Sequence, residues 1–508
     1  MNPDFALLES TIQSGKTVEL PADLKSWLGK TRRLFIDGTW RDGEGGKTFD
    51  TLHPGDGRTL AKVSLAGKQD VYSAVDAAQA SFRRGDWSQV GIEERADLLR
   101  RIAQLILEHR APLAILESLD TGKPLRESFE GDIPRAAHNF NFFADFVQAN
   151  ERMTFENPNE THVAFREPLG AVALVTPWNL PLYLETWKLA PALLMGNSCI
   201  LKPSELTPLT ASYLAELIEQ VGLPRGVFQL VQGFGENSTG EHLVSHPGVA
   251  AISFTGETAT GRAIMKAASV GPTRVSFEMG GKGACVVFAD ASIEKAVDEC
   301  VRGAFRNQGE ICLATPRIFV EKSAFDEFLA RFVSKVKDLR VGDPLSYHTS
   351  MGALVSQEHL NKVTGYLKGL PPKTRIVCGG NRPPGTKGFF LEPTVVVGAD
   401  PEDKISQEEV FGPVACIYPF STEEEVLKAV NGTAYGLSAS VWTEDLEKAQ
   451  RISQKIRTGL VWINCWFVRD LRVPFGGQKR SGVGREGGRF SLDFFSEWKS
   501  VCIRHSKV

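Results

Sequence analysis

Between residues 170 and 280, short apolar runs recur without polar alternation: 171–175 (AVALV), 198–201 (SCIL), 228–231 (FQLV), 250–254 (AAISF) and 274–277 (RVSF). Such runs suit strands covered on both faces, and helical patterns lie between them, which predicts right-handed βαβ units in a doubly wound parallel sheet. A second series at 284–288, 317–321, 414–420, 438–442 and 459–463, with a helical pattern over 323–339, predicts another α/β domain. Leu98, Leu99, Ile102, Leu105 and Ile106 recur at helical spacing, with Glu93 and Glu94 in front and His109 and Arg110 behind, charges that favour the helix dipole. Asp37-Gly38 separates two apolar runs as a hairpin turn would. The segments 151–168 and 498–503 have weak strand character outside both series; they are expected to project and to pair with each other or with another subunit. Residues 1 to about 30 carry little pattern and are expected to pack loosely.

A chain of 508 residues is too long for one core, and 42% hydrophobic with 23% charged residues is ordinary for a folded protein. With 58 basic and 61 acidic side chains the net charge is -3, which removes the footprint that nucleic-acid binding needs. No apolar stretch approaches the roughly 18 residues of a membrane span, and the N-terminus lacks the pattern of a signal peptide, so a cytoplasmic protein is expected. The eight cysteines form no CxxC pair and stand beside no His cluster, so reduced thiols are expected, and neither a zinc site nor a disulfide framework.

The residues just past the first series of strands are chemically unusual: Trp178 and Asn179, Lys202 and Glu205, Gly233 and Gly235, Thr255 and Gly256, then Glu278. In an open α/β sheet, ligands bind at the carboxyl ends of the strands, so these groups converge on one cleft. Gly256 and Gly261, flanking Glu257, have P-loop spacing, but Arg262 and Ala263 replace the residues that would hold phosphate and magnesium. What survives is a strand, turn and helix whose N-terminal amides suit a pyrophosphate. Gly233-Phe234-Gly235 lacks the third glycine of a dinucleotide fingerprint and reads equally as a connecting turn. Lys202 and Glu205 suit a ribose, a carboxylate there favouring NAD over NADP, or form a plain surface ion pair. Cys312 lies near Gly309 as a nucleophile would, or is an inert buried thiol. Glu278 is a general base at the sheet rim, or a carboxylate bonded to a helix end.

Taken together, Pro177-Trp178-Asn179, Lys202-Pro203-Ser204-Glu205, Phe254-Thr255-Gly256, Glu278-Met279-Gly280-Gly281-Lys282, Gly309-Glu310-Ile311-Cys312, Glu409-Val410-Phe411-Gly412-Pro413 and Pro474-Phe475-Gly476-Gly477 resemble the NAD(P)-dependent aldehyde dehydrogenase superfamily, from about residue 34 to 505. The resemblance implies an α/β fold with a Rossmann-type cofactor domain (34–149 and 169–280), a catalytic domain (281–488) and a small β oligomerisation arm (150–168 and 489–508), after an extension over 1–33. It implies NAD as cofactor, with Trp178, Lys202, Glu205, Gly235, Thr255, Gly256, Glu257, Glu409 and Phe411 around it, and a homodimer or homotetramer. Cys312 would attack the aldehyde and Asn179 would hold the oxyanion. Loss of hydride to the nicotinamide leaves a thioester, which water activated by Glu278 hydrolyses. Glu310 departs from the family pattern, which often has Gln there, and alters the electrostatics near the thiol.

Asp132-Ile133-Pro134-Arg135, Trp178-Asn179-Leu180-Pro181-Leu182, Thr186-Trp187-Lys188 and the stretch Asn464 to Arg472 are similar to the branch of 2-aminomuconate and 2-hydroxymuconate semialdehyde dehydrogenases. There, arginines matching Arg135 and Arg469 bind the substrate carboxylate, which a guanidinium fork does by bidentate, charge-assisted hydrogen bonds. Either arginine alone reads as a surface salt bridge. The 5-carboxymethyl-2-hydroxymuconate semialdehyde branch, or an enzyme of simple aromatic or aliphatic aldehydes, is the alternative.

Overall fold

The computed structural model describes residues 3–15, 18–146 and 152–505. Its first sheet has eight strands, in the order Thr39–Arg41, Leu34–Ile36, Phe228–Leu230, Ser198–Lys202, Ala171–Val175, Ala251–Gly256, Arg274–Met279 and Gly482–Val483. The inner five are parallel, and the outer strands run antiparallel to their neighbours. Ala171–Val175 and Ser198–Lys202 are buried at every position, which is why their sequence shows no alternation. Chain order reverses direction between Ala171–Val175 and Ala251–Gly256, the switch point at which a doubly wound sheet opens a crevice.

The second sheet has seven strands, in the order Arg375–Cys378, Thr394–Val397, Val414–Phe420, Arg317–Glu321, Ala284–Val287, Ser438–Trp442 and Leu460–Ile463. All are parallel except Arg375–Cys378. That strand and Thr394–Val397 escape the apolar-run reading because each is four residues long and a Gly- and Pro-rich stretch separates them. The helix expected over 323–339 is Phe325–Lys337, entered through a tight turn at Lys322–Ala324.

The two weak strands pair with each other. Glu160–Pro168 lies antiparallel to Ser496–Arg504 over nine residue pairs, and Met153–Glu156 completes a three-stranded sheet. Residues 147–151 and 506–508, at the expected margins of the arm, lie outside the described residues.

Two expectations need correction. The helix Ile92–Glu108 buries Leu99, Ile102 and Ile106 as its spacing predicts, but Arg110 is not at its back end. His109 closes it, and Arg110 opens the next helix, Arg110–Thr121, where Pro112 is tolerated because it falls in a first turn. The leader does not pack loosely either: it holds helices Pro3–Gln13 and Ala22–Leu28, which bury Ile12, Leu24 and Leu28 in the same core as Phe35, Leu99 and Val227. Trp27 stacks under the Arg32 guanidinium at 3.9 Å and donates to Glu216 at 2.8 Å. Apolar residues too few to show a period still suffice to anchor so short a segment. Among the described residues no helix is long and apolar enough to cross a membrane.

Leu28→Ala is expected to destabilise the chain by about 2–4 kcal/mol. A urea midpoint equal to that of the parent would show that the leader is not part of the core.

Candidate active site

The carboxyl ends of the first sheet face the amino ends of the second. Glu278 ends the strand Arg274–Met279; Cys312 and Glu409 precede the strands Arg317–Glu321 and Val414–Phe420. The chain reaches Cys312 through a turn in which Asn307, Gln308 and Gly309 have φ of 49°, 55° and 73°. Only the glycine is at ease there; the two others store about 1–3 kcal/mol each. Side-chain hydrogen bonds hold the turn: Asn307 Nδ2 donates to Asn179 O at 3.2 Å and Glu310 O at 3.1 Å, and Gln308 Nε2 to Ala353 O at 3.1 Å. The thiol so presented is half-buried.

Burial pushes the Cys312 thiol up to about 12, helped by the Glu409 and Glu278 carboxylates, while Arg469 pulls it down. Burial and Glu486 hold Glu278 well above the usual carboxylate range, against Lys188, Arg469 and Arg485. Neither Glu278 oxygen has a hydrogen-bond partner. A Cβ on Gly476, whose φ is +151°, would lie 2.7 Å from Glu278 Oε1, so glycine makes the space for this carboxylate. Asn179 is buried, and its Nδ2 donates to Glu310 O at 2.8 Å, leaving its other amide proton for a ligand.

Most of the groups read from the sequence as cofactor-binding follow carboxyl ends of strands in the first sheet, and Glu409 and Phe411 precede a strand of the second. Lys202 Nζ donates to Pro203 O at 3.0 Å and lies 3.5 Å from Glu205 Oε2. Past the strand Ala251–Gly256, with Thr255 and Gly256 half-buried and Glu257 exposed, helix Thr258–Ala268 begins at Thr258, whose buried hydroxyl has no partner. Glu409 Oε1 accepts from Gly281 N at 2.7 Å, and burial lifts this carboxyl to about 7. Trp178 and Phe411 pack edge to face at 5.3 Å. Gly235 is exposed in the turn before Thr239–Val244, with open space around it. A cation, a carboxylate and an orphaned hydroxyl at a helix N-terminus are the donor set that a dinucleotide's ribose and pyrophosphate call for.

Arg135 and Arg469 converge. Their guanidinium carbons lie 5.9 and 5.8 Å from the same Trp187 ring, and Arg469 also covers Phe475 at 3.8 Å. Neither is among the ion pairs of the described residues. Burial, and the like charge of Arg469, pull Arg135 below its ordinary value.

Two groups escaped the sequence reading. Glu486 accepts from Lys188 Nζ and Trp187 Nε1, each at 2.7 Å, behind Glu278; a lysine inside the mostly apolar helix Pro181–Leu194, which also holds Glu185 and Thr186, was the available signal. His359 donates from Nε2 to Phe411 O at 2.6 Å, and burial pulls it down to about 4, so it stays neutral and steadies Phe411 at φ 57°.

Residues 40–501 match the model of the aldehyde dehydrogenase family. The chain is 42% identical over 485 residues to a 2-hydroxymuconic semialdehyde dehydrogenase of Pseudomonas sp. (strain CF600), covering 94% of this chain and 100% of that one. It is 41% identical to the human 2-aminomuconic semialdehyde dehydrogenase, over 93% of this chain and 98% of that one. The structure of an aldehyde dehydrogenase from Bacillus cereus in complex with NAD+ superposes with a TM-score of 0.94 at 35% identity, covering 97% of this chain and 100% of that one. The chain therefore belongs to the aldehyde dehydrogenase family. It is in class an oxidoreductase of small aldehydes that uses a cofactor of the NAD(P) type.

Glu310 is the departure whose setting can be tested. Its Oε1 accepts from Val355 N at 3.2 Å and its Oε2 from Gln308 Nε2 at 3.4 Å, and burial raises it well above its ordinary 4.5. The folded chain thus keeps a proton that the unfolded chain releases, so stability from this position is fully present below the ordinary value and falls as pH rises above it. Glu310→Gln has no such proton to lose. Its urea midpoint relative to the parent is expected to rise between about pH 5 and about pH 8; a difference that does not change with pH would mean Glu310 is ionised in place.

Proposed function

We propose that this chain oxidises a semialdehyde bearing a carboxylate, of the 2-hydroxymuconate or 2-aminomuconate 6-semialdehyde type, to the dicarboxylic acid with NAD, in aromatic-compound degradation. The observation that carries this reading is the convergence of Arg135 and Arg469 on Trp187 without an acidic partner, with Arg469 near enough to bias Cys312. Two guanidinium groups in a half-buried site call for an anion, and the names of the relatives agree with a carboxylate at one end of the substrate. A cationic aldehyde such as betaine aldehyde would meet like charge there.

With the carboxylate held by Arg135 and Arg469, the aldehyde carbon is directed to Cys312 Sγ. Cys312 loses its thiol proton to water, and attack by the resulting thiolate places negative charge on the former carbonyl oxygen, which the free Asn179 N–H and the Cys312 backbone N–H stabilise. The bound nicotinamide supplies a hydride acceptor. Cys312 then carries the acyl group as a thioester, and Glu278, made more basic by burial, takes a proton from the water that hydrolyses it. Lys202 and Glu205 would hold the adenosine ribose, and a carboxylate at 205 repels the 2′-phosphate of NADP. Thr255, Gly256 and Glu257, with the amides of helix Thr258–Ala268, would face the pyrophosphate, and Gly235 lines the rim beside them. Glu409 would hold the nicotinamide ribose, between walls formed by Trp178 and Phe411.

We assign residues 34–149 and 169–280 to a cofactor domain and 281–488 to a catalytic domain. Residues 150–168 and 489–508 form an arm that joins subunits into a dimer or tetramer, and 1–33 extend the cofactor domain.

The direct test is NADH formation across aldehydes with and without a terminal carboxylate. Arg469→Ala is expected to raise KM for 2-hydroxymuconate semialdehyde about ten- to a hundredfold more than KM for an uncharged aldehyde. Equal effects on both would remove the carboxylate clamp. Glu278→Gln is expected to release one equivalent of NADH and then stall, with the acyl group on Cys312 visible by mass spectrometry. Full turnover in that variant would assign the deacylation base elsewhere.

A further inference from the structure

The guanidinium of Arg135 is held on one edge. Arg135 and Asn139 stand one turn apart on helix Ile133–Asp145, so they share a face, and Arg135 Nε donates to Asn139 Oδ1 at 3.0 Å. Asn139 is fully buried and gives its own amide protons to Tyr183 O at 3.0 Å and Thr186 Oγ1 at 3.1 Å. The Thr186 hydroxyl is itself committed, within 2.9 Å of Leu182 O and 3.1 Å of Tyr183 O. With both amide protons used, Oδ1 has one orientation left, toward Arg135. On the same side of the group as Nε, Arg135 Nη2 is buried and has no partner, a costly state for a donor. The Tyr183 ring, 5.1 Å away, and the Trp187 ring flank the group and limit where it can swing.

We propose that Asn139 is the positioning residue that sets the charge preference of the site: a neutral acceptor pins Arg135 by Nε, so that its outer edge and its whole charge are left for the carboxylate of the substrate. This rests on reading Arg135 and Arg469 as the carboxylate clamp. The choice of an amide is central to it. An aspartate at 139 would grip Nε as well, but would cancel the charge and take from Tyr183 O the amide proton that Asn139 gives it.

The test compares succinic semialdehyde with butanal, aldehydes of equal carbon number that differ in the terminal carboxylate, using the full chain with NAD. Asn139→Asp is expected to raise KM for succinic semialdehyde about ten- to a hundredfold more than KM for butanal, with kcat for the two moving together. Asn139→Ala keeps the charge and loses only the anchor, so its ratio of the two KM values should fall between those of the parent and Asn139→Asp; it also serves if the aspartate variant does not fold. A merely structural role would move both KM values by one factor, and that result, or a parental ratio in both variants, overturns the proposal. Arg135→Ala separates the two levels of the argument. If it leaves the ratio at the parental value, the clamp itself is wrong; if it shifts the ratio while both Asn139 variants do not, only the positioning role falls.

Discussion

The arrangement depends on how little space separates the two sheets. The strand Arg274–Met279 of one and Ala284–Val287 of the other are joined by Gly280-Gly281-Lys282-Gly283, and this strap lies directly on the loops that precede the second sheet. A Cβ on Gly281 would stand 2.6 Å from the carbonyl oxygen of Cys312, and one on Gly280 or Gly283 would collide with Glu409 or Ala314. Gly281 and Gly283 therefore let backbone meet backbone, Gly280 makes room for the Glu409 carboxylate, and the same contact fixes Cys312, Glu278 and Glu409 relative to one another. Glu409 confirms the fit by accepting from the Gly281 amide rather than pointing away.

So close an approach excludes water, and the charges respond in a common direction. Glu278, Glu310 and Glu409 all hold their protons more tightly than usual, and the Cys312 thiol does the same. For Glu278 the effect supplies basicity. For Glu310 it favours the neutral carboxyl two residues before the thiol, close in shape and charge to the glutamine common elsewhere in the family. Arg135 and Arg469 oppose the trend: they add positive charge to a poorly hydrated space and leave it uncompensated, which is how a site selects an anion.

Much of this was legible in the amino-acid pattern, and the exceptions are instructive. The inner strands of the first sheet stand out because burial on both faces gives apolar runs such as AVALV and the Cys199-Ile200-Leu201 centre of SCILK. The turn at Asp37-Gly38 is plain because φ is positive at both residues, 52° and 67°. Cys312, Glu278 and Arg469 could be placed together only through the whole set of motifs, since each alone has a commoner explanation. Glu486 and His359 are hard to read from the chain because their roles come from partners about 300 and 50 residues away along it, Lys188 and Phe411. The leader was misjudged because a few buried side chains on two short helices leave no periodic trace.

The first sheet also has a temporal side. Its edge strand Gly482–Val483, the Glu486 carboxylate behind Glu278, and the strand Ser496–Arg504 all come from the last part of the chain, yet they attach to structure made from residues 160–279. During synthesis the early portion of the sheet leaves the ribosome with an open edge and with Lys188 lacking its counterion. Exposed edges of that kind favour aggregation. A chain interrupted shortly before residue 480 would thus carry Cys312, Glu278, Arg135 and Arg469 and still lack the wall that holds them, so nearly full-length fragments belong to the substrates of chaperones and proteases rather than to the pool of working enzyme.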